Sequence, residues 1–150
     1  MAWRNRDYQT ALLVGSYQLK VDRFLRAACA VPGLYPFLVF LTARRVVVRG
    51  PSMYPTIRPG DCILFDLLAY KINHPQPGDI VLARHPSRPG VRFIKRVATP
   101  PQPDEYWLLG DNPDASTDSR ILGPFRREDI IARAWLIYWP RNRFGMLKLP

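Results

Sequence analysis

The stretch RGPSMYPTIRPGD, residues Arg49–Asp61, joins a run of valines to the apolar run CILF and surrounds a single serine with turn-forming residues. Its three prolines and two glycines predict a rigid turn at the end of a strand. Ser52 should therefore present its hydroxyl at a corner of the chain. Because Pro51 has no N–H, an oxyanion there would look first to the N–H of Ser52 itself. Serines in such turns are usually structural, so a nucleophilic role requires a base elsewhere in the sequence.

The rest of the chain predicts a mainly β protein with one main domain. It has 150 residues, too few for two ordinary domains, and its 16 prolines and 9 glycines favour short elements joined by turns. Apolar or alternating runs follow Val46, each closed by Pro, Gly or Asp: VVV, CILFD, DIVLAR, VRFIKRVA, YWLLG and IIARAWLIYW. We expect a compact, antiparallel β domain over residues 46–150, preceded by a helical and apolar segment over residues 1–45.

The N-terminal segment leaves its relation to a membrane open. Residues 8–26 have loosely helical apolar spacing with basic residues between, as in an amphipathic surface helix. Residues 27–43 carry no charge over 17 positions, the lower limit for a membrane span, but two prolines and a glycine interrupt them. Either a membrane segment or a soluble apolar brace fits, so the protein is expected to be cytoplasmic or membrane-associated through residues 27–43. No cleavable signal peptide is expected, because the apolar run begins too late.

The net charge of +10 is concentrated in the first sixty residues, which carry nine Lys or Arg against two Asp or Glu. This bias fits an acidic partner, an anionic membrane surface or a solvated basic face. The basic residues are not interleaved with aromatic residues on one strand face, as a platform for single-stranded nucleic acid requires. A non-catalytic nucleic-acid-binding β module is therefore a remote alternative, and no nucleic-acid partner is expected.

The cysteines and histidines do not predict a metal site. Cys29 and Cys62 have no metal-ligand spacing and are expected to be buried free thiols. His74 and His85 lie in proline-rich loops and are too few for a typical zinc site. We expect no metal and no cofactor, and neither histidine has a setting that suggests a catalytic base.

Lysine is the other base available to a serine, and the chain has only four lysines against eighteen arginines. In VRFIKRVA, period-two alternation places Lys95 on the same face as Val91, Phe93 and Val97. A lysine on an apolar face loses its proton more easily than a lysine in water. An arginine would stay protonated in the same place. A lysine reaching to solvent at a sheet edge remains the structural alternative.

A third segment, GDNPDASTDSRILGP from Gly110 onward, follows an apolar strand end and is dense in hydroxyls and carboxylates. Such a segment is ordinarily a loop held by side-chain turns. Next to a buried amine, Ser116 could hydrogen-bond to Lys95, while Asp118 and Arg120 fix the loop.

Together, GPSMYPTIRPGD, FIKRVA and GDNPDASTDSRILGP resemble, in this order, the motifs of the type I signal peptidase family of serine proteases with a Ser/Lys dyad. The resemblance covers residues from about Val46 to about Pro140. It implies a serine endopeptidase in which Ser52 is the nucleophile, Lys95 is the general base and Ser116 orients the lysine. Asp118 and Arg120 are then the structural pair behind Ser116.

The resemblance also implies supporting residues, and the chain departs from the family pattern at one position. Met53 and Pro55 would shape the wall of the site. Some family members have a serine two residues before the nucleophile as a side-chain oxyanion donor, whereas this chain has Gly50. The oxyanion hole should then rest on backbone N–H groups.

The short separation between the lysine motif and the final motif is similar to that of the mitochondrial inner-membrane proteases and of the bacterial nickel-type superoxide dismutase maturation proteases. The segments HPQPGDIVLARHPSRPG, YWLLGDNPDASTDSR and ARAWLIYWP look most like the latter. The implied partner is a protein substrate, the N-terminal propeptide of a nickel superoxide dismutase precursor. The alternative is a general type I signal peptidase that removes export signal peptides at the membrane.

Overall fold

The computed structural model describes residues 21–88, 90–98 and 105–147. The chain divides into two compact units between Leu38 and Val39. The predicted boundary after residue 45 stays a prediction.

The N-terminal residues form two short helices. Residues 21–30 are helical (α1), and the rest of the predicted helix over residues 8–26 lies outside the described residues. A turn at Pro32 and Gly33, where Gly33 has a φ of 83°, separates α1 from α2, Leu34–Thr42. Glycine adopts this left-handed conformation without a steric cost, so the break falls where the sequence allows it. Among the helices that the structure describes, none has the length and apolar character needed to cross a membrane.

The second unit is built on an antiparallel sheet. Its strands are β1 Arg44–Val47, β2 Cys62–Asp66, β3 Ile80–Arg84, β4 Arg92–Val97, β6 Leu108–Leu109, β8 Ile130–Trp139 and β9 Gly145–Met146, and two further strands, β5 Glu105–Tyr106 and β7 Phe125–Arg126, pair separately. The order is β1-β2-β8-β3-β4-β6, with β9 paired to β8. Two short helices, α3 Ala69–Ile72 and α4 Ser119–Leu122, lie in the connections.

The strands form where the sequence alternates or is continuously apolar. CILFD and IIARAWLIYW become β2 and β8, and their inward side chains build a core around Ile63, Phe65 and Ala134. Met53 and Ile57 from the turn after β1 belong to the same core, and both are at most 1% exposed. Burying a Met or Ile side chain contributes about 1.5–3 kcal/mol each, so the core itself anchors this turn. The mainly β, antiparallel fold predicted from the sequence is confirmed.

Candidate active site

The segment containing Ser52 is a hydrogen-bonded turn. Ser52 is half-buried, the N–H of Tyr54 donates to Pro51 O over 3.0 Å, and the N–H of Ile57 donates to Met53 O over 2.8 Å. These bonds and the burial of Met53 fix the corner on which Ser52 lies. Its hydroxyl is thus presented by a stiff backbone, as the prolines and glycines predicted.

An ion pair that the sequence did not reveal closes the base of this turn. Asp61 is 1% exposed and accepts from the N–H of Arg58 over 2.8 Å and from Arg143 Nε over 2.9 Å. Arg143 also donates to Thr56 O over 2.9 Å. Because Arg143 is 82 residues away in the chain from Asp61, no local pattern could have paired them.

Lys95 is buried as the alternation predicted, with 2% of its surface exposed. It lies on β4 opposite Val81 of β3, and its Nζ is 5.5 Å from the centre of the Phe93 ring. Burial lowers the pKa of Lys95, since a charged amine loses its hydration there; Asp118 opposes this shift and Arg120 adds to it. The neutral amine that a base requires is therefore easier to reach than in water.

Asp118 organises the loop that follows β6. Its fully buried carboxylate accepts from Ser116 Oγ over 2.6 Å, from the N–H of Gly110 over 2.9 Å and from Arg120 Nε over 2.9 Å. Burial alone would raise the pKa of Asp118, but the hydrogen bonds from Arg120, Ser116 and Gly110 outweigh it and lower that pKa. Asp118 is thus a permanent anion, and the predicted Asp118–Arg120 pair is present. The predicted contact between Ser116 and Lys95 stays a prediction.

The same loop holds the Ser52 turn. The backbone N–H of Asn112 donates to Ser52 O over 3.0 Å, and Asn112 Nδ2 donates to Pro51 O over 3.3 Å. Gly110 lies so close that a Cβ there would be 2.6 Å from Ser52 O and 2.2 Å from Ser116 Oγ. β6 ends at Leu109, which pairs with Arg96, the neighbour of Lys95. The three sequence motifs therefore meet at one place.

Asp111 links the lysine strand to the serine turn, a contact that sequence reasoning missed. Arg96 Nε and Nη2 donate to its two carboxylate oxygens over 2.8 and 2.7 Å, and the Thr56 side chain hydrogen-bonds to it as well. Burial would raise the pKa of Asp111, but these bonds lower it. The sequence shows only that Arg96 follows Lys95 and that Asp111 follows Gly110. These neighbours do not reveal the strand register that brings Arg96 and Asp111 together.

A cleft of about 300 Å³ opens beside Ser52. It is lined by β1, the serine turn, β3 and β4, through Val46, Val47, Val48, Arg49, Gly50, Ser52, Met53, Leu82, Arg92, Phe93 and Ile94. Gly50 and Met53 line the cleft, whereas Pro55, expected to shape the wall with Met53, is exposed and does not line it. The walls are mainly apolar.

The histidines and cysteines are elsewhere. The His85 and Phe93 rings contact each other in a tilted arrangement with 5.2 Å between their centres, and His74 Nδ1 lies 3.4 Å from the Tyr106 hydroxyl. Both cysteines are free thiols, but Cys29 is exposed and Cys62 half-buried, which corrects the expectation that both are buried. The cause for Cys29 is its position on a solvent-facing side of α1. Within the described ranges, no group of three His, Cys, Asp or Glu side chains is arranged to hold a metal ion.

The structure combines a serine on a rigid turn, a buried lysine on β4 and an antiparallel β scaffold, the features expected of a serine protease of the signal peptidase type. The family described as "Signal peptidase, peptidase S26" matches residues 21–103 and 101–139, and the chain belongs to this family. It is therefore a serine protease of the signal peptidase type.

Relatives of known name agree with this. The chain is 38% identical over 122 residues to mitochondrial inner membrane protease subunit 1 of Xenopus tropicalis, covering 69% of this chain and 73% of that protein. It is 32% identical over 165 aligned positions to mitochondrial ATP-independent inner membrane protease subunit 1b of Arabidopsis thaliana, covering 95% and 92%. It is 30% identical over 147 to signal peptidase I of Leptolyngbya laminosa, covering 69% and 72%.

These relatives are named as inner membrane proteases and signal peptidases, not as nickel superoxide dismutase maturation proteases. The expected placement in the maturation subfamily is therefore not supported. The alternative, a protease of the general signal peptidase type, is supported better.

Proposed function

We propose that this chain is a membrane-associated processing protease that removes the N-terminal signal or leader peptide of precursor proteins, with Ser52 as nucleophile and Lys95 as general base. One observation carries the proposal. The loop after β6 binds the carbonyl of Ser52 through Asn112 N–H over 3.0 Å, and that loop begins where β6 pairs with the strand of the buried Lys95.

Each group then has a defined part in the reaction. Neutral Lys95 takes the proton of Ser52 Oγ as that oxygen attacks the peptide carbonyl, and the N–H of Ser52 is the first donor available to the oxyanion. The tetrahedral intermediate collapses when the Lys95 ammonium protonates the leaving amine, which gives an acyl-enzyme. Lys95 next takes a proton from water, whose oxygen attacks the ester, and returns it to Ser52 as the ester breaks.

The neighbouring residues keep this pair aligned. Asp118 is ionised and hydrogen-bonded to Ser116, Gly110 and Arg120, so its charge favours the Lys95 ammonium that forms during attack. Asp111 connects Arg96, next to Lys95, with Thr56, four residues after Ser52. Alignment of this kind contributes to rate because it removes the entropy of bringing two groups together.

The exposed apolar side chains of α2 support contact with a membrane through residues 27–43. Phe37, Phe40 and Leu41 are each 57–63% exposed on this nine-residue helix, and the exposed Arg45 follows it closely. Exposed aromatic and aliphatic groups beside arginine are typical of segments that lie in the interface of an anionic bilayer. The names of the mitochondrial relatives, which include "inner membrane", agree with such a location.

The test is cleavage of a signal-peptide precursor by the purified full chain on vesicles containing anionic lipid, with the new N-terminus identified by intact mass. Wild type should cleave, and Ser52→Ala and Lys95→Ala should not. Lys71→Ala is the matched control because this lysine is exposed on α3. Activity that survives in either dyad variant would refute the mechanism. A nickel superoxide dismutase precursor serves as the second substrate. Cleavage of that precursor alone would instead support the interpretation as a maturation protease.

A further inference from the structure

Two arginines face each other at the end of the β3–β4 hairpin in a way that folding does not explain. Arg84 of β3 is directly opposite Arg92 of β4, and both side chains are exposed. Like charges directly opposite on neighbouring strands destabilise a sheet. In the part of the chain that the structure describes, neither takes part in a salt bridge. A pair that costs stability is a candidate for a role in binding.

Arg92 also lines the cleft beside Ser52, and so does Arg49. No acidic side chain is among the residues that line it. Arg49 precedes Ser52 by three residues and Arg92 precedes Lys95 by three. Three residues of chain span at most about 11 Å, so Arg49 lies within that distance of Ser52. An extended peptide covers this distance with about three residues.

We propose that Arg49 and Arg92 form an anionic subsite that binds an Asp or Glu side chain of the substrate, three or four residues from the scissile bond. The inference rests on the proposed function, because it assumes that the substrate chain lies in the cleft beside Ser52. A guanidinium binds a carboxylate through paired hydrogen bonds, and two cations on the cleft wall would select an acidic side chain over its amide. Arg84 adds to the positive potential without lining the cleft.

The occupant is a peptide carboxylate because the arginines share one cleft with the nucleophile and its apolar walls. A chain that places its carbonyl at Ser52 must pass along those walls. Both arginines are exposed to solvent, so the attraction is screened by salt and its effect on rate is moderate.

The experiment uses the full chain in detergent without vesicles and a series of peptides with one cleavage site. Each peptide carries one Glu or one Gln at two to six residues from the scissile bond, on either side. We expect Glu at three or four residues on one side to raise kcat/KM about fivefold over Gln. The preference should disappear in Arg49→Gln and Arg92→Gln, shrink at high salt, and remain in Arg141→Gln, whose exposed arginine does not line the cleft.

A charge reversal separates recognition from structure. Arg92→Glu should prefer Lys over Gln at the same peptide position, which a merely structural arginine would not produce. The melting temperature of Arg92→Gln should not fall, because the variant removes a repulsion with Arg84. A fall in the melting temperature would show that the Glu preference was lost through unfolding. The Arg92→Glu variant would then decide whether Arg92 recognises the substrate.

The outcomes are distinct. Equal cleavage of Glu and Gln peptides would overturn the anionic subsite and leave the proposed function standing. A Glu preference that persists in Arg49→Gln and Arg92→Gln would also overturn it. If the variants lose binding to anionic vesicles but keep peptide selectivity, the arginines bind lipid phosphate and the inference is wrong. No cleavage of any peptide or precursor by wild type would instead refute the proposed function.

Discussion

Substituting Gly110 by alanine tests whether the loop after β6 positions Ser52. A Cβ at this position would lie 2.2 Å from Ser116 Oγ, 2.6 Å from Ser116 Cβ and 2.6 Å from Ser52 O. The serine side chain could rotate away, but Ser52 O is backbone and is already held by Asn112 N–H. To reach an ordinary contact of 3.4 Å, the Ser52 carbonyl and the new methyl must separate by about 0.8 Å.

The magnitude follows from this displacement. Overpacking of this kind costs about 1–3 kcal/mol in the free energy of unfolding. A misplacement of about 1 Å in a reacting group lowers the rate by roughly 100-fold. We therefore expect Gly110→Ala to remain folded and to lose about two orders of magnitude in kcat/KM. Urea unfolding and cleavage of a signal-peptide substrate measure the two effects on one preparation.

Two controls sharpen the result. Gly145→Ala should change neither quantity beyond the usual effect of a surface substitution, because a Cβ there meets nothing within 4 Å. Gly110→Ala combined with Ser116→Gly removes both Ser116 contacts and leaves the clash with Ser52 O. It should regain stability relative to Gly110→Ala without exceeding the activity of Ser116→Gly alone. Near-normal cleavage by Gly110→Ala would show that the position of Ser52 does not depend on this contact.

Four further predictions concern charge and the oxyanion. Activity should rise with pH with a slope of one in log kcat/KM until the lowered pKa of Lys95 is passed; a flat profile would argue against a lysine base. Between this lowered pKa and the ordinary value of 10.5, the unfolded chain binds more protons than the folded chain, so the free energy of unfolding should also rise with pH. Lys95→Met should abolish that rise and increase the free energy of unfolding at neutral pH by about 1–3 kcal/mol, as measured by chemical denaturation. Asp118→Asn removes an anion that raises the pKa of Lys95, so the pH–rate midpoint should move to lower pH, with about 1–3 kcal/mol lost in stability; an unmoved midpoint would contradict the coupling. Gly50→Ser should fold normally, since a Cβ there meets nothing within 4 Å, and should increase kcat up to about tenfold if its hydroxyl reaches the oxyanion; an unchanged kcat would place the oxyanion elsewhere.

The sequence predicted those features that depend on local pattern. β2 and β8 coincide with CILFD and IIARAWLIYW, and the burial of Lys95 followed from alternation within six residues. The run YWLLG, by contrast, does not form one strand. Tyr106 pairs with Phe125, while Leu108 pairs with Val97 on β4. The run is thus divided between two sheets, and only tertiary pairing decides where.

Two of the ion pairs that hold the site are long-range and were not predictable. The link from Arg96 to Asp111 spans 15 residues, and that from Asp61 to Arg143 spans 82. Each charged residue taken alone fits a solvated surface as well as a buried pair, and only the register of the sheet brings the partners together.

The distribution of buried charge explains why this scaffold tolerates a lysine in its interior. Lys95, Asp118 and Asp61 are each at most 2% exposed, yet only the carboxylates have hydrogen-bonded guanidinium partners, Arg120 and Arg143. The guanidinium partners of the two carboxylates stiffen the loops, whereas burial pushes Lys95 toward its neutral form. An arginine partnered like those two could not give up its proton at the pH where proteins work. The fold therefore places guanidinium–carboxylate pairs in the loops that position Ser52 and leaves at Lys95 a buried amine that can give up its proton, as the proposed chemistry requires.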